Sequence, residues 1–89
     1  MARKKVKTRK NRPDIPVAFG EALKNARLNK GYSQLQLGEL ADCHFTFISQ
    51  IERGVRQPTI TTLFKLATFL DIQPEELVKQ TGTNLKKAK

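Results

Sequence analysis

Thr46, Ser49, Gln50 and Arg53 recur at the three- and four-residue spacings that bring side chains onto one face of a helix. Their types are those that bond to the edges of nucleic-acid bases. Glutamine offers a donor and an acceptor together and suits adenine, and arginine suits guanine or phosphate. A threonine methyl or a phenylalanine ring packs on the methyl of thymine. Phe45 and His44 stand at the amino end of the same segment, and Ile48 and Ile51 take the opposite, core-facing side. A polar helix face by itself is most often only a solvated surface, so the base-reading chemistry depends on the elements around it.

Those elements are legible in residues 33 to 58. Ser33 precedes an apolar-periodic run and Gln36 follows it by three positions, the spacing of a capping box that satisfies exposed backbone donors reciprocally. Leu37, Leu40 and Ala41 then form a predicted buried stripe on a helix of about two turns, with Gln34 and Glu39 elsewhere on its surface. The periodicity breaks at Asp42, Cys43 and His44 and resumes through Phe47 or Ile48 to Ile51. A second helix is predicted from His44 or Phe45 to about Arg53, stopped by Gly54 and kept from resuming by Pro58. Two short helices joined by a tight turn make a helix-turn-helix, a shape that leaves the outer face of its second helix free for a DNA major groove.

The stretch from Phe19 to about Val78 also resembles the lambda-repressor-like family of the Cro or XRE type. The resemblance is carried by FGEALKNARLNKGYSQ, LGELA, FISQIERG, RQPTITTLFKLATFLDI and PEEL in that order. It implies an all-α, compact five-helix domain whose second and third helices bind double-stranded DNA, working as a homodimer on a palindromic operator. Gln34 matches the family glutamine that touches phosphate and braces the base-reading side chains. Phe45, Thr46, Ser49 and Gln50 match base-facing positions, and His44 lies at the first turn, where relatives often hold Ser or Thr. Arg53, Arg56 and Gln57 match the helix end and the loop that approaches phosphate. Arg27 and Glu52 match a structural ion pair between helices one and three.

The chain departs from the family at several positions. Asp42 and Asp71 stand where glycine is usual, and aspartate is among the few side chains that tolerate left-handed backbone. Cys43 replaces an aliphatic residue and is expected to act as a small core hydrophobe. With a single His beside it, it falls short of the ligand set of a zinc site. Phe45 replaces a polar or basic residue and so alters the expected base preference. Phe47 has two readings, core filler or a ring beside the sugar backbone.

The scaffold follows from the remaining segments. Asp14 to Pro16 form a boundary, after which a first helix presents Phe19, Ala22, Leu23 and Ala26 and ends near Gly31. Thr59 or Thr61 can cap a helix presenting Ile60, Leu63, Phe64, Ala67 and Leu70. Pro74, Glu75 and Glu76 suit the first turn of a fifth. Leu77, Val78 and the region near Phe69 and Ile72 can either complete the core or form a dimer face.

Charge divides the chain into three parts. The total of +9 on 89 residues is concentrated at the ends. Arg3, Lys4, Lys5, Lys7, Arg9, Lys10 and Arg12 occupy the amino end without an acid, and Lys86, Lys87 and Lys89 the carboxyl end. Residues 13 to 85 hold seven basic and eight acidic side chains, so the body carries a formal −1. The predicted organisation is a disordered basic arm over 1–13, a folded domain over 14–80 and a basic tail over 81–89. The arm's seven cations are expected to displace counterions at phosphates or to reach a neighbouring groove.

Composition narrows the function classes. The length suits one small domain. No apolar run approaches the roughly 20 residues of a membrane span and no apolar signal segment follows the basic start, so a cytoplasmic protein without membrane contact is expected. One His, no phosphate-cradling glycine loop and no nucleophile with a base and orienter argue against an enzyme. Neither a cofactor, a metal nor a small-molecule ligand is expected. The sequence points to a DNA-binding transcriptional regulator, a repressor. The alternatives are an antitoxin that binds a toxin and its own operator, and a non-specific RNA or ribosome binder driven by the arm.

Overall fold

Residues 14 to 87 are described by a computed structural model; the arm cations Arg3 to Arg12 and the terminal Lys89 lie outside them. Five helices run in order: α1 (Ile15–Lys30), α2 (Gln34–Leu40), α3 (Phe45–Glu52), α4 (Ile60–Leu70) and α5 (Pro74–Lys87). Among the described residues there is no strand.

Side-chain caps open α1, α2 and α4. The Asp14 carboxylate accepts from the Val17 amide, Ser33 and Gln36 form the reciprocal box, and Thr59, not Thr61, caps α4 through the Thr62 amide. These bonds satisfy amides that a helix's first turn leaves without partners. Helix ends use left-handed residues, Gly31 after α1 and Asp71 after α4, and Asp42 takes the same conformation between α2 and α3. Gly54 does so just beyond α3, as the glycine stop requires.

Leu23, Leu37, Ile48, Ile51, Leu66, Leu70 and Leu77 are fully buried at the centre, so every helix contributes to one core. Phe47, Cys43, Phe69 and Ile72 pack against it half-buried. Phe47 is thus core filler at one edge, and burial pushes the Cys43 thiol up, with the nearby Lys65 charge opposing. A thiol held protonated is a poor nucleophile, in keeping with a packing role.

Three apolar positions differ from the sequence expectation. Leu40, Ile60 and Phe64 are 42, 69 and 53% exposed. In α4 the buried face runs Leu63, Leu66, Ala67, Leu70, the i, i+3, i+4, i+7 stripe, which turns Phe64 about 100° away and leaves Ile60 at the helix start beyond the core. Leu37 of α2 and Ala41 just after it take the inward positions in the core, and Leu40 between them faces outward.

The domain boundary expected after residue 80 also moves. Helix α5 continues to Lys87, with Thr81 and Asn84 buried, and the Asn84 Nδ2 donates to the Ala18 carbonyl of α1 at 3.0 Å. What the lysine-rich composition suggests is a tail is, as far as Lys87, a helix packed along α1. Its closing lysines complement the negative helix end, which is why their charge does not end the helix earlier.

Candidate nucleic-acid interface

Two backbone approaches set α3 in place. A Cβ on Gly20 would lie 2.6 Å from the Glu52 carbonyl oxygen and closer still to that of Ile51, so α1 and α3 meet at a distance only glycine permits. A Cβ on Gly38 would lie 2.6 Å from the Cys43 carbonyl oxygen, and the Cys43 amide donates to the Gly38 carbonyl at 2.8 Å. The turn therefore folds flat onto α2 and delivers the chain into α3 at a fixed angle.

The carboxyl end of α3 is locked by a buried ion pair. Arg27 Nε lies 2.6 Å from Glu52 Oε2, Nη2 donates to Oε1 at 3.0 Å, and Nη1 donates to the Tyr32 carbonyl at 2.8 Å. The two side chains are only 8 and 4% exposed. Gln34 Nε2 adds a third donor to Glu52 Oε1 at 3.0 Å. One carboxylate thus ties α3 to both α1 and α2, and the planar fork of arginine makes the geometry bidentate.

His44 caps the other end, its Nδ1 accepting from the Thr46 amide at 3.1 Å. With Nδ1 accepting, Nε2 is the ring nitrogen left to donate. Phe45 stacks on His44 with centroids 4.8 Å apart and is 45% exposed. Beyond them Thr46 and Arg53 are exposed, and Ser49 and Gln50 are half-buried. Arg53 Nε lies 3.4 Å from Ser49 Oγ, a long contact and the one side-chain hydrogen bond of this guanidinium among the described residues. Arg56 and Gln57 are exposed in the loop after α3.

The structure therefore gathers His44, Phe45, Thr46, Ser49, Gln50, Arg53, Arg56 and Gln57 on α3 and its two ends, while Ile48 and Ile51 point into the core. Gln34 is set apart from them by its bond to Glu52 and belongs to the lock as much as to the outer face. Sequence spacing misses one contact altogether: Arg56 Nε donates to Gln50 Oε1 at 2.8 Å, with the guanidinium carbon 5.7 Å from the Phe47 ring centroid. The two residues are six apart across a glycine stop, where no helical period applies.

Among the described residues no group of His, Cys, Asp and Glu is placed to hold a metal, and no helix is long and apolar enough to cross a membrane. A short helix locked at both ends with a polar, base-compatible outer face defines a helix-turn-helix DNA-binding domain.

Comparison with known proteins agrees. Residues 23 to 77 match the helix-turn-helix model of the HTH_3 family. The control protein C.BamHI of Bacillus amyloliquefaciens is 36% identical over 69 residues, which cover 76% of this chain and 85% of that protein. The restriction-modification controller protein C.AhdI of Aeromonas hydrophila superposes with a TM-score of 0.68 at 40% identity, over 70% of this chain and 90% of that one. SinR, a master regulator for biofilm formation solved in complex with DNA, superposes with a TM-score of 0.65 at 34% identity, over 67 and 97% of the two chains. This chain belongs to the HTH_3 helix-turn-helix family.

Proposed function

We propose that this chain is a cytoplasmic transcriptional repressor that binds an inverted-repeat operator as a homodimer, with α3 of each protomer in a major groove. The carrying observation is the rigid placement of α3. Its ends are fixed to α1 and α2 by the Arg27–Glu52–Gln34 lock and the turn on Gly38, while Thr46, Ser49 and Gln50 face outward. A base-reading side chain must be held to within a fraction of an ångström to discriminate, and this scaffold supplies that rigidity. Thr46, Ser49, Gln50 and Phe45 contact base edges, with the His44 Nε2–H beside them. Arg53, Gln57 and the second amide hydrogen of Gln34 serve phosphates. Arg3, Lys4, Lys5, Lys7, Arg9, Lys10 and Arg12 add contacts that carry affinity more than sequence preference.

Its relatives support the regulatory reading, since they include control proteins and a regulator solved on DNA. Dimerisation is supported by the size of α3, whose eight residues span too few base pairs for a unique site. Selection of bound duplexes from a random pool tests the reading. The expected result is an inverted repeat with half-site centres about 34 to 36 Å apart and two chains per site in sedimentation. Tighter binding to structured RNA than to any duplex, or one chain per minimal site, contradicts it.

A further inference from the structure

A free glutamine on a recognition helix matches adenine, because it presents an acceptor and a donor side by side. Gln50 is not free. Arg56 Nε donates to its Oε1 at 2.8 Å, and arginine can only donate, so the carboxamide is oriented with its oxygen toward the guanidinium and its NH2 turned away. The guanidinium is itself held near the face of Phe47, 5.7 Å from the ring centroid, and Phe47 is packed against the core. The pair is thus anchored from below and its remaining polar hydrogens, on Gln50 Nε2 and the two Nη groups of Arg56, are all donors.

We infer that Gln50 and Arg56 act as one donor-rich unit that reads guanine, and that Arg56 is a specificity-determining residue. This rests on the DNA-binding reading above and assigns the base that the site takes. Guanine is the base with two adjacent acceptors, N7 and O6, in the major groove, whereas adenine sets its N6 donors beside N7 and cytosine offers a donor. Oε1 keeps a second lone pair, but the cationic guanidinium bound to that oxygen repels the positive hydrogens of an adenine amino group that would use it. An adenine amino group docking there meets donors of its own kind, and guanine O6 accepts from them. The positive charge of Arg56 adds to the preference for the electron-rich guanine edge. The role differs from that expected of a loop arginine, which touches phosphate and leaves base choice unaltered.

Duplex selection followed by competition binding with the full chain, Arg56→Ala, Gln50→Ala and Arg53→Ala tests the assignment. Both Arg56 and Gln50 lie outside the core, and melting curves confirm that each variant folds. The wild-type protein is expected to prefer guanine over adenine by about tenfold or more at one position of each half-site. Gln50→Ala loses that preference. Arg56→Ala frees the carboxamide and shifts the same position toward adenine while other positions keep theirs, and Arg53→Ala leaves it intact. Uniform weakening by Arg56→Ala with every base preference unchanged makes Arg56 a phosphate contact and overturns the inference. So does wild-type selection of adenine at the Gln50-dependent position. If the wild-type chain enriches no duplex, the inference falls together with the reading beneath it, an outcome recognisable before any variant is compared.

Discussion

Removing one member of the Arg27–Glu52 pair should cost far more than removing both. With Glu52→Met, Arg27 keeps its bond to the Tyr32 carbonyl but loses two charge-assisted bonds, at 2.6 and 3.0 Å, in a site where the arginine side chain is 8% exposed. Gln34 loses its acceptor as well. Stranding a buried charge in this way costs about 3 to 5 kcal/mol. A domain of this size has roughly 5 to 10 kcal/mol in all, so the single variant sits near the edge of folding. With a slope of about 1 kcal/mol per molar urea, the unfolding midpoint should fall by about 3 M or more. Arg27→Met strands the carboxylate and should cost a similar amount. The double variant Arg27→Met/Glu52→Met leaves no unpaired charge and should be more stable than either single one, because replacing a buried pair by apolar side chains is often nearly neutral. Urea unfolding followed by circular dichroism on the four proteins measures each of these quantities. Single-variant losses below about 1 kcal/mol, the scale of an exposed pair, refute the argument. So does a double-variant loss equal to the sum of the singles.

Gly20→Ala forces a methyl group against the carbonyls of α3 and should lose roughly 1 to 3 kcal/mol, whereas Gly82→Ala, with open space around it in α5, should gain about 0.5 to 1 kcal/mol. Thermal melts that reverse this order contradict the close packing of α1 on α3. His44→Ser preserves a side-chain acceptor for the Thr46 amide and should leave stability near that of the parent, while His44→Val removes the cap at a cost of about 1 kcal/mol; equal melting temperatures for the two variants would show that the imidazole does not cap α3. Deleting residues 1 to 12 removes seven cations from a body of formal charge −1. It should weaken binding to all duplexes, each lost phosphate contact lowering the salt slope by roughly 0.9. Affinity across a salt series reads the effect, and an unchanged slope makes the arm a bystander.

Local signals make much of this protein legible in the sequence. Ser33 with Gln36, Gly54 with Pro58, and Pro74 with two glutamates mark helix ends because capping satisfies backbone groups within a few residues of the side chain that does it. The polar face of α3 was legible for the same reason: a 3.6-residue period is a property of the chain alone. Asp42 and Asp71 stand where the family resemblance implies glycine, and both take the left-handed backbone that aspartate tolerates. The Arg27–Glu52 pair was foreseen only through the family resemblance, since nothing in the spacing of residues 25 apart requires them to meet.

Tertiary packing decided the rest. Which of Leu37, Leu40, Ile60, Leu63 and Phe64 are covered depends on the angle at which each helix meets its neighbours, and an apolar stripe slightly too wide in sequence leaves its margins in solvent. The lysine-rich end reads as a tail until Thr81 and Asn84 are seen packed along α1, because burial against a distant helix leaves no local mark. The bond between Gln50 and Arg56 is of the same kind. Composition and period place a glutamine on the outer face and an arginine in the loop beyond it. The path of the backbone through Gly54 then brings their polar atoms to 2.8 Å and sets which end of the carboxamide faces outward.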